Sequence, residues 1–394
     1  MAGSLMTTYV PLPITFAKGK GVYLWDNSGK KYLDAVAGVA VCSLGHAHPV
    51  IAKALAEQAS TLVHTSNLYH IEHQQRLGDK LCSLSTMDRV FFSNSGAEAN
   101  EAAIKLARLY GKQQGIERPN IIVTCGSFHG RTLATLSATG NRKVQAGFSP
   151  LVDGFVRANY NDVEAIKNIA NSNSDVVAIL VEPVQGEGGV IIPDAEYLAQ
   201  LRQICDKNHW LLMLDEIQTG IGRTGKWFAF QHTDIKPDVM TLAKALGNGV
   251  PIGACLARGK AAELFTPGTH GSTFGGNPLA TRAALSVLDV IANDAVIANV
   301  KTMGDYFLSK FQTQLNGLEQ VKAIRGKGLM IGIELTSDCG ELVALASEQG
   351  LLINVTAGNT IRLLPPLIIN KEQADRVISI VSGLIKTQQQ QQQE

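Results

Sequence analysis

The sequence predicts an α/β fold: a mostly parallel sheet covered on both faces by helices, with a smaller α+β domain beside it. Three observations predict it. Short apolar runs read as buried strands: Arg89–Phe92, Asn120–Thr124, Val176–Val181, Trp210–Leu214, Val239–Leu242 and Gly253–Leu256. Segments with helical apolar spacing lie among them, at Ala97–Tyr110, Ala195–Asp206 and Pro278–Ala292. Glycine and turn residues punctuate the chain between these elements. Continuous apolar strands alternating with helices imply parallel strands buried on both faces.

Taken in order, residues 1–50 read as an N-terminal segment that joins the small domain. Within it Val22–Leu33 predicts a hairpin around Asp26-Asn27-Ser28-Gly29, whose residues suit a tight turn. Residues 51–277 carry the strand and helix alternation and form the large domain. Residues 278–387 hold amphipathic helices and short strands, Gly328–Leu335 and Thr360–Leu364, and form the C-terminal small domain. Residues 388–394 are a glutamine run with a final Glu394, expected to be disordered.

Composition narrows the function. A chain of 394 residues, 45% of them hydrophobic, is globular and has length for a two-domain core at about 100–200 residues per domain. The formal net charge of +1 gives no electrostatic case for a nucleic-acid partner. Cys42, Cys82, Cys125, Cys205, Cys255 and Cys339 are scattered, without the pairs of a zinc site or a small disulfide framework. No apolar run reaches the ~18 residues that span a bilayer, and the N-terminus has no secretory pattern. The expectation is a soluble cytoplasmic protein with no membrane partner and no metal.

Two motifs fail on context. Gly220-Ile-Gly-Arg-Thr-Gly225 fits a dinucleotide fingerprint, but that needs a strand immediately before and a helix after. Here Asp215, Glu216 and Gln218 intervene, and the aromatic Lys226–Phe230 follows. His46-Ala-His48 and His70-Ile-Glu-His73 lack a third metal ligand at recognisable spacing.

The chemistry lies at three strand ends. After Arg89–Phe92 comes Ser95-Gly-Ala97 and an alanine-rich helix, whose free N-terminal N–H groups form a ready phosphate site. Alone, this is equally an ordinary strand-to-helix turn. Trp210–Leu214 runs into Asp215, and ligands of open α/β sheets bind beyond such strand ends. Alone, a capping or surface carboxylate is the better reading. Val239–Leu242 leads to Lys244, and a lysine forced into apolar surroundings becomes a nucleophile. Alone, a snorkelling lysine is the better reading. Together they supply what pyridoxal phosphate needs: an anion site, an acid partner for its ring nitrogen and a lysine to hold it.

Beyond these residues, a run of ordered motifs resembles the class III (subgroup II) aminotransferases of the fold-type I pyridoxal-phosphate family, from about Leu12 to Leu384. The motifs include Gly45-His-Ala-His-Pro49, Ser95-Gly-Ala-Glu-Ala-Asn100, Ser127-Phe-His-Gly-Arg-Thr132, Glu182-Pro-Val-Gln-Gly-Glu187, Leu214-Asp-Glu-Ile-Gln218, Lys244-Ala-Leu-Gly247 and Gly271-Ser-Thr-Phe-Gly-Gly-Asn277. The resemblance implies a central sheet of the seven-stranded type and pyridoxal 5'-phosphate as cofactor. It implies that Lys244 carries the cofactor covalently and Asp215 keeps its ring nitrogen protonated. Phe128 would stack on the ring, Gln218 touch its phenolic oxygen, and Ser95, Gly96 and Ala97 bind the phosphate. Thr273 would reach that phosphate from a second subunit, with Ser272 near the substrate, which implies a homodimer with a shared site.

The resemblance also implies substrates. Arg131 and Arg362 would grip carboxylates, for which the guanidinium fork is suited. Glu187 would mask Arg362 for a donor with one remote carboxylate and swing away for glutamate and 2-oxoglutarate. Val39 stands where ornithine-specific relatives carry tyrosine, which favours an acylated donor. The expected reaction moves the terminal amine of N2-acetylornithine to 2-oxoglutarate, as in arginine biosynthesis. Ornithine, succinylornithine and 4-aminobutyrate are the alternative donors, and the isomerase glutamate-1-semialdehyde aminomutase is the alternative of another class. The wording Cys42-Ser-Leu-Gly-His46 departs from the family's commoner Asn-Ala-Leu-Gly-His.

Overall fold

The computed structural model describes residues 4–393. Residues 1–3 and Glu394, the extreme ends of the expected N-terminal segment and glutamine tail, lie outside them.

The N-terminal strands are β1 (Phe16–Lys20), β2 (Tyr23–Asp26) and β3 (Lys31–Asp34). β2 and β3 form the expected antiparallel hairpin, with Tyr23 opposite Leu33. Asp26 closes its turn: Oδ1 accepts from the N–H groups of Ser28 and Lys30, both at 2.9 Å. Gly29 follows at φ +85°, which glycine adopts without a Cβ penalty.

The central strands are β4 (Arg89–Ser93), β5 (Asn120–Thr124), β6 (Phe155–Ala158), β7 (Val176–Val181), β8 (Leu211–Asp215), β9 (Val239–Leu242) and β10 (Gly253–Ala257). They form a 7-stranded sheet in the order β4, β10, β9, β8, β7, β5, β6. From β9 across to β6 all pairs are parallel, while β10 runs antiparallel to both its neighbours. The central β7, β8 and β9 are buried along their whole length. That burial is why they read as unbroken apolar runs. The edge strand β6 escaped the sequence reading because Phe-Val-Arg-Ala is short, half-buried and interrupted by Arg157.

The remaining strands are β11 (Val321–Lys327), β12 (Met330–Leu335), β13 (Leu351–Leu352), β14 (Asn354–Thr356) and β15 (Thr360–Leu363). β11, β12, β15 and β14 make an antiparallel sheet in that order. β13 instead pairs in parallel with β3, so the N-terminal hairpin shares a sheet with the C-terminal region. The last helix, Lys371–Gln393, carries helical backbone into the glutamine run, where the sequence suggested disorder. Glutamine is a fair helix former, and here it extends a helix already anchored by buried Val377, Ile378, Val381 and Ile385.

The sheet's direction positions the site. Because β10 is antiparallel to β4 and β9, β4 points the same way as the parallel strands. The C-terminal ends of β4, β5, β7, β8 and β9 therefore share one edge, where open α/β sheets bind ligands.

Candidate active site

A cavity of about 460 Å³ opens at that edge. Its wall includes Ser95, Gly96, Ala97, Phe128, Arg131, Glu187, Asp215, Gln218 and Lys244. Residues far apart in sequence thus converge on one space, because each follows the end of a neighbouring strand.

The anion cradle is the start of the helix Gly96–Gln113. Ser95 caps it: its Oγ accepts from the Glu98 N–H at 3.2 Å and donates to Glu98 Oε2 at 2.9 Å. Glu98 Oε2 also accepts from the Asn94 N–H at 3.0 Å, one residue ahead of the cap. The N–H groups of Gly96 and Ala97 have no intrahelical acceptor and face the cavity at the positive end of the helix dipole. A Cβ at Gly96 would lie 2.8 Å from Ile217 Cδ1, so glycine is needed for the close approach.

Asp215 ends β8 and is 4% exposed. Its Oδ2 accepts from Asn100 Nδ2 at 2.8 Å and lies 2.7 Å from His129 Nδ1. Its Oδ1 accepts from the Ile217 N–H at 3.1 Å. Asn100 is oriented in turn by Thr241 Oγ1, which donates to Asn100 Oδ1 at 2.8 Å. The carboxyl is therefore fixed in direction, as a partner for a ring nitrogen must be.

Lys244 follows β9 in a left-handed conformation, φ +44°, rare for a residue with a side chain. Burial holds its ammonium below the usual lysine range. The carboxylate of Glu187 opposes that shift, and the charge of Arg362 adds to it. An amine so placed is readily freed as a nucleophile or base.

Arg362 sits on β15 and is 2% exposed. Its Nη1 donates to Glu187 Oε1 at 2.6 Å, and Nη2 donates to Asn354 Oδ1 at 2.6 Å. Burial pushes the Glu187 carboxyl up, but the charge and hydrogen bond of Arg362 outweigh it, and the net shift is down. Arg131 is exposed at the mouth, with its guanidinium 5.7 Å from the Phe128 ring centre.

Not every expected residue lies on the wall: Arg362 is not part of it and meets it through Glu187. Ser272 stands one shell away: its Oγ accepts from Asn94 Nδ2 at 3.2 Å and from the Gly275 N–H at 3.0 Å. Thr273 is exposed and outside the cavity of its own chain. Val39 is also off the wall, where Val41 takes its place. Ala37, Gly38, Val39 and Ala40 all have positive φ, 51°, 63°, 65° and 62°, and make one left-handed turn. That turn packs Val39 against the cluster of Ala40, Val184, Val190, Met330 and Leu364.

The sequence reading passed over His129, Asn100 and Glu182 as individuals, though each lies inside a quoted motif. Their polarity beside buried strands was the available signal. Glu182 lines the cavity, and burial pushes its carboxyl up to about 7, with His129 opposing the shift and the Asp215 charge adding to it.

An anion cradle, a fixed buried carboxyl and a buried lysine at adjoining strand ends define a pyridoxal-phosphate enzyme of fold-type I, and the donor set fits that cofactor. The comparisons agree. Residues 5–385 match the family model Aminotransferase class-III, and the chain belongs to that family. It is 61% identical over 381 residues to acetylornithine aminotransferase of Nitrosomonas europaea, covering 97% of each chain. It is 48% identical to acetylornithine aminotransferase of Aquifex aeolicus, covering 97% of this chain and 99% of that one. Among solved structures, ornithine aminotransferase from Toxoplasma gondii superposes with a TM-score of 0.95 at 34% identity, over 98% of this chain and 94% of that one. Acetylornithine aminotransferase from Elizabethkingia anophelis gives 0.87 at 36% identity, over 97% and 96%. The chain is a pyridoxal-phosphate-dependent transaminase.

Proposed function

We propose that this chain moves the terminal amino group of N2-acetyl-L-ornithine to 2-oxoglutarate, giving N-acetylglutamate 5-semialdehyde and glutamate, a step of arginine biosynthesis. The observation that carries the reading is the Arg362–Glu187 pair beside Lys244, with Arg131 at the mouth making no salt bridge among the described residues. One cavity must accept a donor with a single remote carboxylate and an acceptor with two. A maskable inner arginine with a second arginine outside meets both demands. The names of the relatives at 48–61% identity support the same donor.

Pyridoxal phosphate, when bound, supplies the electron sink and the amino carrier. The chain supplies the rest. The Gly96 and Ala97 N–H groups and Ser95 hold the phosphate. Asp215, oriented by His129 and Asn100, keeps the ring nitrogen protonated. Phe128 would stack on the ring, and Gln218 would meet its phenolic oxygen. Lys244 would hold the cofactor, and its Nζ would serve as the base for the amine-bearing carbon of the donor. Arg131 grips the donor carboxylate while Glu187 covers Arg362. For 2-oxoglutarate, Glu187 swings off and both arginines bind.

The active unit in this reading is a homodimer. Leu62, Val63, Leu68, Tyr69 and Phe274 are exposed apolar residues. With exposed Thr273 they suit a contact that delivers Thr273 to the partner's phosphate site. The six unpaired cysteines suit the cytoplasm. Among the described residues no single helix is long and apolar enough to cross a membrane.

The test is a donor panel with 2-oxoglutarate as acceptor: acetylornithine, succinylornithine, ornithine and 4-aminobutyrate. Acetylornithine is expected to lead by at least tenfold in kcat/KM. Preference for ornithine overturns the donor assignment, and activity without any 2-oxo acid overturns the transfer reaction.

A further inference from the structure

Glu182 follows β7 and is 5% exposed, yet it lines the cavity. Its two carboxyl oxygens serve two different loops. Oε1 accepts from the Phe128 N–H at 3.0 Å, and Oε2 accepts from the Gly186 N–H at 3.2 Å. The first loop carries the ring that stacks on the cofactor. The second carries Glu187, the residue that covers Arg362.

The backbone around Glu182 is itself held. Tyr160 Oη donates to the Glu182 carbonyl at 2.9 Å and to the Pro183 carbonyl at 3.1 Å. On the far side of the second loop, Thr356 Oγ1 donates to the Glu187 carbonyl at 2.5 Å. Gly186 packs closely on the Gln218 side chain, where an added Cβ would lie 2.3 Å from Oε1. With its backbone pinned on each side, Glu187 has only side-chain rotation by which to leave Arg362.

We propose that Glu182 is a positioning residue that ties the ring-stacking loop to the hinge of the Glu187 gate, so that substrate choice changes by a side-chain swing over a fixed backbone. The inference rests on the two-substrate reading above. It assigns Glu182 no contact with the reacting atoms. Its carboxylate suits the task because both oxygens accept, whereas an amide in its place accepts with one and opposes an N–H with the other.

The experiment uses cofactor-loaded Glu182→Gln and follows single turnovers by the visible absorbance of the bound cofactor, with glutamate and with acetylornithine as alternative donors. Both donors meet the same enzyme form, so the ratio of their kcat/KM values reports the gate alone. A loosened hinge weakens the covered state of Arg362. The ratio is expected to move toward glutamate by about 3- to 10-fold, the size of one typical net hydrogen bond. The same ratio is then measured in Glu187→Ala and in the double variant. The Glu182→Gln shift is expected to vanish once Glu187 is gone, since coupled residues are not additive. Equal loss for both donors, no change in the ratio, or a full shift that persists without Glu187 would each overturn the proposal.

A second measurement needs no variant. In the wild-type holoenzyme the amides of Phe128 and Gly186 should stay protected from hydrogen exchange with either substrate present. Loss of protection at Gly186 when 2-oxoglutarate saturates the enzyme would show that the backbone moves, and the fixed hinge would be wrong. If wild type is silent with acetylornithine, the donor assignment has failed; the ratio is then taken with the one-carboxylate donor the panel identifies, and the hinge stands or falls separately.

Discussion

Arg362 and Glu187 meet at 2.6 Å, the arginine side chain 2% exposed and the glutamate 35%. The two ends of this pair are unequal. Arg362 cannot leave its buried seat, where Asn354 also holds it. Glu187 already reaches solvent and can be drawn away. In the proposed reaction the pair would act as a lid on a fixed cation.

Glu187→Ala should uncover Arg362 permanently. Partial exposure of Glu187 means water replaces much of the lost contact, so stability should change by about 1 kcal/mol or less. Donor choice should change more. The glutamate to acetylornithine ratio of kcat/KM should rise about tenfold, equivalent to roughly 1.4 kcal/mol. Single-turnover measurements with each donor check this, and an unchanged ratio would remove the gate from the mechanism.

Lys244→Ala should abolish turnover while leaving the fold intact. Lys244 is the one lysine lining the cavity among the described residues, and removal of a nucleophile that is also the base should cost at least ~10⁴-fold. The variant should still bind cofactor through the helix N-terminus and Asp215, with an absorbance that borohydride no longer fixes to the chain. Retained turnover would refute the assignment.

Much of this site was legible because its residues sit where regular strands stop. Asp215 and Lys244 follow fully buried apolar runs, so their positions could be read from hydrophobic pattern alone. Ser95 was legible because strand, glycine and alanine-rich helix follow in order. Val39 against Val41 was not legible. A strand or a right-handed helix would set side-chain direction by period, but Ala37–Ala40 form a left-handed turn. Such a turn costs about 1–2 kcal/mol per residue and is imposed by the surrounding packing rather than by local preference. The same is true of β13 and β14, two and three residues long, which exist only because β3 and β15 are there to receive them.

Glu216 predicts a stability that depends on pH. It is 1% exposed, and burial pushes its carboxyl up to about 7 from an ordinary 4.5, despite hydrogen bonds from the Ala229 and Phe230 N–H groups and Thr219 Oγ1. Between pH 4.5 and 7 the folded chain thus holds a proton that the unfolded chain has released. Its contribution is fully present below pH 4.5 and is lost as pH rises to about 7. The loss is on the order of 3 kcal/mol. In Glu216→Gln this component should be missing from the urea-unfolding free energy measured across that window. Parallel pH profiles for the variant and wild type would contradict the assignment.

Arg223 explains what the misleading glycine motif is for. It lies in Gly220–Gly225, is fully buried, and has no carboxylate partner among the described residues; burial pushes its guanidinium down to about 9. It donates instead to the carbonyls of Leu329 at 3.0 Å and Pro365 at 2.6 Å and to Ser43 Oγ at 3.1 Å. The loop after β8 is thereby fastened to the N-terminal segment and to two points of the C-terminal region, and the same loop begins at the Asp215–Gln218 stretch that lines the cavity. Arg223→Leu keeps apolar bulk but strands those acceptors, and each buried unsatisfied group costs about 1–3 kcal/mol. The variant should lose several degrees in Tm, and kcat should fall for every donor in equal proportion, because the wall moves and the gate does not. A fall confined to one donor would mean that the Arg223 loop belongs to substrate selection and that its glycines do more than let the chain turn around a buried cation.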